Sequence, residues 1–489
     1  MKMQTPMPSQ TPMGADMPIS MVGVNSFGRY SKVASAATIN MMVTTASGRR
    51  ALVPQAGYQT AISFPTGRPR GAFASTRIDE SVEVIGSQVY LTNNNLGYRL
   101  IGQLATSTGP VFISENQGSQ IAMVDGSAVY SYNYANSTFT RTVLGDFLPS
   151  YIDWLDTYTI LTDSTRGEWQ ISDSNDSTSY NPLFRAPMQT EADNLQAVVR
   201  LNRVLYAIGK KCTELWTDNP NGSGASALGQ PVSFPFTRNN STSIDWGCIS
   251  TQTIQSGFKL LVWLASNGRS GPTVIAIVNG DAINLADEGL QYFLSQLTAP
   301  QDSTAILFMM NGRVLYLLTF YTDNVSIVYD FVEKGWYFAT DENSNYHIAS
   351  RVIFQNNKLY ILNSDPNSPQ LLEFGTNFTT YNGNTIPRTR IIEPIKNGDK
   401  EFIVDHCGIP MEYGDGHSEH RIDLSISNDG GISYSNIDSY TLLPTAYRRG
   451  RAEFYALGLS NDFRAQFNFW TKDRFVLLDE ATIDVRMSQ

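Results

Sequence analysis

Cysteine is scarce in this chain: its 489 residues contain three, at wide and irregular spacings, namely Cys212, Cys248 and Cys407. An odd and widely spaced set argues against a disulfide framework and is typical of proteins that assemble in a reducing cytoplasm. Long apolar runs are also missing, and the N-terminal stretch MKMQTPMPSQTPMGADMPIS lacks the apolar core of a signal peptide. We therefore expect a soluble protein without stable membrane insertion.

Positive charge is in deficit, because 35 Lys and Arg face 45 Asp and Glu, which gives a net charge of −10 at pH 7. Proteins that grip nucleic acid by its phosphates need the opposite balance. The composition therefore argues against a nucleic-acid-gripping protein. It suits a wall past which DNA slides, since like charges shorten residence on the surface.

Sequence signatures of catalysis are missing as well. There is no Walker loop, no Gly-x-Ser-x-Gly and no dinucleotide fingerprint. Asp153, Asp156 and Asp405 are isolated carboxylates without an evident partner in the sequence, so no general acid or base can be assigned. We expect no enzyme activity, no catalytic residues and no cofactor.

A histidine cluster near residue 410 raises the question of a metal site. His417 and His420 are three residues apart, with His406 and Cys407 just upstream. The flanking sequence 414–416, Gly-Asp-Gly, predicts a loop, and a loop lacks the fixed geometry that a helix gives to such a pair. We expect no metal here, and histidines that are solvated or make subunit contacts.

The residues that are abundant favour β-structure. Asn, Ser and Thr are frequent, and the chain has 24 Tyr and 24 Phe, a composition suited to strands and Asn/Gly turns. Residues 1–54 form an N-terminal arm and a lead-in strand, and the Met- and Pro-rich start of the arm has no hydrophobic period. We expect this arm either to contact a partner through its flexible Met side chains or to pack on its own domain.

Residues 55–375 repeat one theme: a hydrophobic strand, a polar turn and an aliphatic-Tyr pair. The pairs are Val89-Tyr90, Val129-Tyr130, Leu205-Tyr206, Leu315-Tyr316 and Leu359-Tyr360. Units of about four strands every ~40–50 residues are typical of a β-propeller, and the interval has room for roughly six to seven blades. Stacked sandwiches are the alternative, which in-phase repetition disfavours. A single short helix is predicted at 286–297.

Residues 376–489 have a different pattern, with longer alternating strands. In one of them Phe463, Ala465, Phe467 and Phe469 alternate with polar residues, which predicts one buried and one wet face. About seven such strands indicate a C-terminal β-sandwich. The predicted fold is therefore all-β, with an extended N-terminal arm, a divergent β-propeller and this sandwich.

The sandwich segment contains an Asp-box, the Ser-x-Asp-x-Gly-x-Ser/Thr-aromatic pattern, at Ser427, Asp429, Gly431 and Tyr434. The pattern is best known from sialidases, but its aspartate accepts hydrogen bonds from turn N–H groups and carries no catalytic atom. Sialidase chemistry instead needs an arginine clamp and a separate set of Tyr, Glu and Asp residues. We interpret the box as a structural staple of a hairpin.

The order of several motifs resembles a known family. It includes TGRPRG at 66–71, GQL at 102–104, the AMVDGSAVYSYNYANSTFTR unit, the stretch from WQISD at 169–173 to ELWTD at 214–218, and YRRGRAEFYALGLSNDFRAQFNF after the Asp-box. Over roughly residues 55–489 this pattern is similar to the packaged-DNA stabilisation, or tail hub (nozzle), proteins of short-tailed bacteriophages. The N-terminal extension is longer than in that family.

The resemblance implies a structural virion protein of the phage tail, assembled in the host cytoplasm. It implies a homo-oligomeric ring, a hexamer, below the portal and adaptor, which extends the DNA channel, retains packaged DNA until ejection and docks a tail needle or plug and tail fibres or spikes. DNA would pass through the lumen without specific binding, and the sequence does not identify the lumen-lining residues. Two alternatives stay open: a glycan-binding or glycan-cleaving propeller, and a host-receptor-binding tail protein.

Overall fold

The computed structural model describes residues 16–28, 34–46, 48–188, 193–218, 234–398, 400–413, 420–427, 430–442 and 449–487. Contacts divide the chain into two compact units. Of the described residues, those from 56 to 383 make up one unit, which is called the propeller unit here. The described residues up to 55 and those from 384 onward make up the other, which is called the terminal unit. Each is described by itself.

In the described residues, six strands precede the first blade. They are β1 (Asp16–Ile19), β2 (Ser26–Phe27), β3 (Ala34–Ile39), β4 (Met41–Ala46), β5 (Arg49–Pro54) and β6 (Gly57–Ser63).

Seven blades follow in the described part of the propeller unit, each built on four antiparallel strands. From the innermost strand outward, blade 1 is β7 (Pro69–Ala74), β8 (Glu80–Ile85), β9 (Gln88–Asn93) and β10 (Tyr98–Gln103). Blade 2 is β11 (Phe112–Glu115), β12 (Gln120–Val124), β13 (Val129–Asn133) and β14 (Thr138–Thr142). Blade 3 is β15 (Tyr151–Leu155), β16 (Tyr158–Asp163), β17 (Glu168–Ile171) and β18 (Arg185–Pro187). Blade 4 is β19 (Leu195–Leu201), β20 (Val204–Gly209), β21 (Thr213–Asp218) and β22 (Phe236–Ile244).

Blade 5 has a divided inner strand, β23 (Gly247–Cys248) and β24 (Gln255–Gly257), with a 3-10 helix at Thr251–Thr253 between the two pieces. It continues with β25 (Leu260–Ser266), β26 (Thr273–Val278) and β27 (Asp281–Asn284). Helix α1 (Glu288–Ser295) follows, and then blade 6 with β28 (Ser303–Met310), β29 (Arg313–Phe320), β30 (Val325–Asp330) and β31 (Gly335–Phe338). Blade 7 contains β32 (Ala349–Gln355), β33 (Lys358–Asn363), β34 (Gln370–Gly375) and, as its outermost strand, β6.

The ring of blades closes through β6. The inner strands contact one another in chain order, and β32 of blade 7 contacts β7 of blade 1. β6 pairs antiparallel with β34, so that Ile62 lies opposite Leu371 and Tyr58 opposite Phe374. The short β35 (Thr380–Tyr381) runs parallel to β6, and the Tyr381 ring stacks on Tyr58 at 4.3 Å between centroids. Blade 7 therefore joins the two ends of the propeller unit.

The repeated hairpins form as predicted, with left-handed residues in their turns. Asn311 and Gly312 have φ of 50° and 76°, and Asn356 and Asn357 have φ of 50° and 57°, the conformation that two-residue hairpin turns require. Their position in the blade varies, however. The aliphatic-Tyr pairs lie on the third strand of blades 1 and 2 and on the second strand of blades 4, 6 and 7. The expected in-phase repetition is wrong, while the propeller is confirmed, with the blade count at the upper end of the predicted range.

Helix α1 confirms the helix predicted at 286–297. The Asp287 carboxylate accepts a hydrogen bond from the Leu290 N–H at 2.8 Å, which satisfies a backbone donor that the first helical turn leaves free. Leu290 and Leu294 are both fully buried. The helix lies between blades 5 and 6 in the chain.

The remaining strands belong to the terminal unit. They are β36 (Asn384–Thr385), β37 (Arg388–Ile391), β38 (Ile395–Lys396), β39 (Phe402–Tyr413), β40 (His420–Ser427), β41 (Ser435–Leu442), β42 (Arg449–Ser460), β43 (Asp462–Trp470), β44 (Phe475–Leu478) and β45 (Ala481–Met487).

Two sheets of this unit form a β-sandwich. One has the order β1-β45-β39-β44-β5-β4, with β42 also paired to β39, and the other runs β3-β37-β43-β40-β41. Aromatic contacts join them: Phe454 lies 6.2 Å from Phe467, and Phe469 lies 5.4 Å from Phe475, between ring centroids. The inward alternation predicted for β43 is confirmed, since Phe463, Ala465, Phe467 and Phe469 are all buried.

Strands from both chain ends share these sheets. β1 pairs with β45, β3 with β37, and β5 with β44. The predicted boundaries at 1–54 and 376–489 keep these strands apart, because alternation within a segment carries no information about so distant a partner. The Met- and Pro-rich residues 1–15 of the predicted arm lie outside the described residues.

Candidate functional sites

The Asp-box turn follows β40. The Ser427 hydroxyl accepts a hydrogen bond from the Gly431 N–H at 2.8 Å, and Ser427 is 1% exposed. Gly430 and Gly431 have φ of 78° and 91°, a region that favours glycine. Tyr434 is partly buried, and its hydroxyl lies 3.4 Å from the position that a Cβ on Gly431 would take. Asp429, the predicted staple, lies outside the described residues. The sequence interpretation named Ser427 as part of the structural turn but assigned the stapling hydrogen bonds to Asp429.

Aspartates staple turns inside the blades too, where no Asp-box pattern was recognised. The Asp163 carboxylate accepts hydrogen bonds from the N–H groups of Thr165 and Arg166 at 2.9 and 3.2 Å. In blade 6, Asp330 accepts from the Val332 N–H at 2.8 Å. Asp125, in the predicted Asp-Gly turn of blade 2, does the same for residues 127 and 128. An aspartate at the strand end is therefore a structural device of this propeller.

The histidines and the cysteine of the proposed cluster have separate surroundings. His406 contacts Glu453, and its ring lies 4.9 Å from that of Tyr455. Cys407 is buried, which raises the pKa of its thiol to about 12. His420 is 1% exposed and packs on Tyr413, and burial lowers its pKa.

The expectation of solvated loop histidines is therefore wrong for His420, which begins β40 instead of lying in a loop. His417 lies outside the described residues. No group of three His, Cys, Asp or Glu side chains that could hold a metal ion occurs in the described parts of the chain. All three cysteines are buried, and no disulfide bond joins them.

The three carboxylates without an evident partner in the sequence each have one in the structure. Asp153 accepts hydrogen bonds from the backbone N–H groups of Arg200 and Trp154 at 2.6 and 2.7 Å. Asp156 lies 3.4 Å from Arg203. Asp405 makes a bidentate pair with Arg486, at 2.6 and 2.8 Å. These contacts connect strands and turns, and they bring no two of the three together.

The propeller has a cavity of about 310 Å³ at one end of its inner strands. Its wall comes from blades 1, 2, 5, 6 and 7 and includes Arg68, Arg70, Gln252, Asp302 and Arg351. Blades 2 and 5 are not neighbours, so a cavity that both line lies where the inner strands converge. The sequence carries no signal for this cavity, because its residues are far apart in the chain and meet only when the ring closes.

Arg70 builds the rim of this cavity. It is 2% exposed, and all five of its N–H groups donate to neutral acceptors: Nε to the Gly109 carbonyl (2.6 Å), Nη1 to the Gly86 and Thr106 carbonyls (2.9 and 2.7 Å), and Nη2 to the Thr106 hydroxyl and the Thr108 carbonyl (both 2.7 Å). Five donors are the full complement of a guanidinium. Arg70, from the TGRPRG motif, therefore fixes the loop 104–111 and is a structural residue.

Asp125 lies behind this loop and completes the network. Its carboxylate accepts hydrogen bonds from the Thr106 hydroxyl and N–H at 2.7 and 3.2 Å. Burial alone would raise the pKa of Asp125, but hydrogen bonds from Ser127 and Thr106 together hold it below its usual value. Asp125 is therefore ionised at neutral pH and partly offsets the charge of Arg70 through Thr106.

Arg351 faces the cavity with a different balance of contacts. Its Nη1 donates to the Ser350 carbonyl at 2.7 Å, and its Nη2 donates to the Arg70 carbonyl and the Gln252 side chain at 3.2 and 3.0 Å. Burial lowers the pKa of Arg351, although a guanidinium stays charged at any physiological pH. Two of its five N–H groups have no acceptor among the described residues.

These observations define a class: an all-β protein with a seven-bladed propeller and a sandwich, whose polar side chains mainly fix turns and strand ends. Residues 17–371 match a phage-stabilisation family model described as "Bacteriophage P22 Gp10, beta-propeller". The match spans well over half of the chain, and the protein belongs to this family of phage structural proteins. It is therefore a virion component.

The chain is also similar to solved structures, at low identity. The N-terminal domain of Nup159 is 12% identical, with a TM-score of 0.41, over 70% of this chain and 100% of that one. Virginiamycin B lyase from Staphylococcus aureus is 8% identical, with a TM-score of 0.43, over 64% and 98%. BamB from Moraxella catarrhalis is 10% identical, with a TM-score of 0.38, over 72% and 97%. No curated protein matches the chain. No helix in the described residues has the length and apolarity needed to cross a membrane.

Proposed function

We propose that this protein is a non-enzymatic tail hub, or nozzle, of a short-tailed phage. It assembles in the host cytoplasm into a homohexameric ring below the portal and adaptor, extends the DNA channel and retains packaged DNA until ejection. The family match over residues 17–371 carries the proposal. The net charge of −10 supports it, because an acidic wall lets DNA slide without binding.

The outer strands of the blades offer surfaces for ring contacts. On β10, Tyr98 and Leu100 are 41% and 56% exposed, and β10 has a paired neighbour on one side only. An outer strand of this kind carries free backbone groups that another chain can use. Two edges of the terminal unit, β41 and β42, also present apolar side chains, Ile437 and Tyr455. Such strands suit contacts with neighbouring subunits, a needle or plug, and fibres or spikes.

The N-terminal residues 1–15 are proposed as a strap to a neighbouring subunit or to the adaptor. Met and Pro are interspersed with polar residues there without a hydrophobic period, and flexible Met side chains adapt to a partner surface. β1 begins at Asp16, so the strap would leave the molecule from the edge of the first sandwich sheet.

Glycan cleavage is the second candidate, and one observation bears on it. Three arginines line the cavity of the propeller, as a carboxylate clamp would require. However, all five N–H groups of Arg70 already donate to acceptors of the protein. In addition, no glutamate lines the cavity beside Tyr321 or Tyr346. The Tyr nucleophile and Glu helper of a sialidase are therefore not assembled there.

Virions made without this protein test the hub function. Particles from a phage with a nonsense mutation early in the gene, grown in a non-suppressing host, should package DNA and then lose it, so that DNase-protected DNA falls while head protein stays constant. The same phage grown in a suppressor host is the control. Full retention of DNA in particles that fail only to adsorb would contradict the proposal and favour a receptor-binding tail protein.

A further inference from the structure

We propose that the cavity at the end of the propeller's inner strands binds a compact oxyanion, a phosphate or a carboxylate group of a small molecule, through Arg351 and Arg68. This ligand site goes beyond the hub function and does not rest on it. It rests on the placement of donors, on the local charge and on the volume of the cavity.

Arg351 presents hydrogen-bond donors to the cavity. Arg351 uses three of its N–H groups to hold its own position, on the carbonyls of Ser350 and Arg70 and on the Gln252 amide. Its Nε–H and one Nη1–H have no acceptor in the described residues, and the side chain lines the cavity. A guanidinium anchored on one side with free donors on the other is pre-organised for an oxyanion. The Tyr321 hydroxyl, 2.9 Å from that of Thr304, adds a neutral hydrogen-bonding group.

The groups that line the cavity carry an excess of positive charge. Three guanidinium groups and one carboxylate, that of Asp302, line the cavity of a protein whose net charge is −10. Asp302 accepts a hydrogen bond from the Thr322 hydroxyl at 2.9 Å. No carboxylate among the described residues lies within ion-pair distance of Arg68, Arg70 or Arg351. The local excess of positive charge attracts an anion, although Asp125 partly offsets Arg70.

The volume of the cavity limits the size of the ligand. About 310 Å³ exceeds the space of a bare ion and lies at the lower end of small-molecule sites. A ligand of the size of a sugar acid or a phosphate ester is therefore expected. A carboxylate is planar and a phosphate is tetrahedral, but both present negatively charged oxygens that accept hydrogen bonds from Arg351. The chemistry that they share is that of an oxyanion.

Calorimetry with two probes distinguishes the sources. Inorganic phosphate and N-acetylneuraminic acid are titrated into the full-length protein at matched ionic strength, with chloride as the control anion. We expect saturable binding of at least one probe. Binding of phosphate alone identifies a phosphate ester as the ligand class, and binding of the sugar acid alone identifies a carboxylate.

Matched variants test the residues. Arg351→Gln should weaken binding at least about tenfold, because one charge-assisted contact is lost. Arg68→Gln, at an exposed position that is not part of the core, should weaken it several-fold and decides the matter if Arg351→Gln fails to fold. Arg141→Gln removes the same charge from the exposed face of β14 and should leave binding unchanged. Absence of binding by both probes, or equal affinity in the wild type and in the cavity variants, overturns the proposal.

Discussion

At the scale of single residues, two ionisable groups of blade 1 are buried among neutral partners. Glu83 is 0% exposed and accepts hydrogen bonds from the hydroxyls of Ser81 and Thr92 at 2.6 and 2.7 Å. Burial raises its pKa to about 7, although both hydrogen bonds act to lower it. Arg70 is held by carbonyls and one hydroxyl. Such groups cost desolvation free energy and fix a single arrangement of the polypeptide around them.

Glu83 makes stability depend on pH. Its folded pKa of about 7 lies above the value near 4.5 of a free carboxyl, so between these pH values the native state binds a proton that the unfolded state has released. The contribution of this group to the free energy of unfolding therefore falls by up to about 3 kcal/mol as pH rises from 4.5 to 7. Above pH 7 it stays level.

Glu83→Gln should remove that dependence and stabilise the protein at pH 8, as measured by urea denaturation at pH 5 and pH 8. The exposed Glu288 of α1 offers a control, Glu288→Gln. An unchanged difference between the two pH values in Glu83→Gln would show that Glu83 does not titrate in this range.

Arg70→Lys should destabilise the protein by about 3–5 kcal/mol, because an ammonium has three donors for five acceptors and leaves buried carbonyls unsatisfied. Thermal unfolding of the variant measures the loss. Arg141→Lys on β14 is the matched conservative change and should have little effect. Equal stability of wild type and Arg70→Lys would mean that the loop 104–111 is not held by this guanidinium.

At the scale of elements, local patterns predicted the hairpins well and their partners poorly. Asn311-Gly312 and Asn356-Asn357 predict left-handed turns, and the alternation of apolar and polar residues in β43 predicts a buried face. Closure of blade 7 by β6 and the pairing of β1 with β45 depend on contacts between distant segments, for which a single sequence has no signal. The cavity was missed for the same reason: TGRPRG was noticed as a motif, but its neighbours Gln252 and Arg351 are brought to it only by the closed ring.

Ring closure by β6 predicts a strong effect of its buried side chains. Ile62 is 6% exposed and packs between blades 7 and 1, against Ile85, Tyr90 and Leu371. Ile62→Ala should lower the free energy of unfolding by about 2–4 kcal/mol. The control Ile283→Ala on β27, where the side chain is 40% exposed, should change it by less than about 0.5 kcal/mol. Equal effects of the two changes in chemical denaturation would mean that β6 does not close the propeller.

At the scale of the whole molecule, the family and the charge point to one use of the fold. The propeller and the sandwich each recruit strands from distant parts of the chain, and each has exposed edge strands. The Asp-box that first suggests sialidases is consistent with this use, since Ser427 and the glycines of that turn make structural contacts. The sequence alone indicated the family and the propeller, while the lumen and the subunit contacts require an assembled ring.

The mass of the assembled species tests the central claim most directly. Native mass spectrometry or light scattering of the purified full-length protein, alone and with portal and adaptor present, measures the number of 54.2 kDa chains in the complex. The hub function predicts a ring of about six chains. A species that stays monomeric under both conditions and turns over a glycan substrate would contradict it.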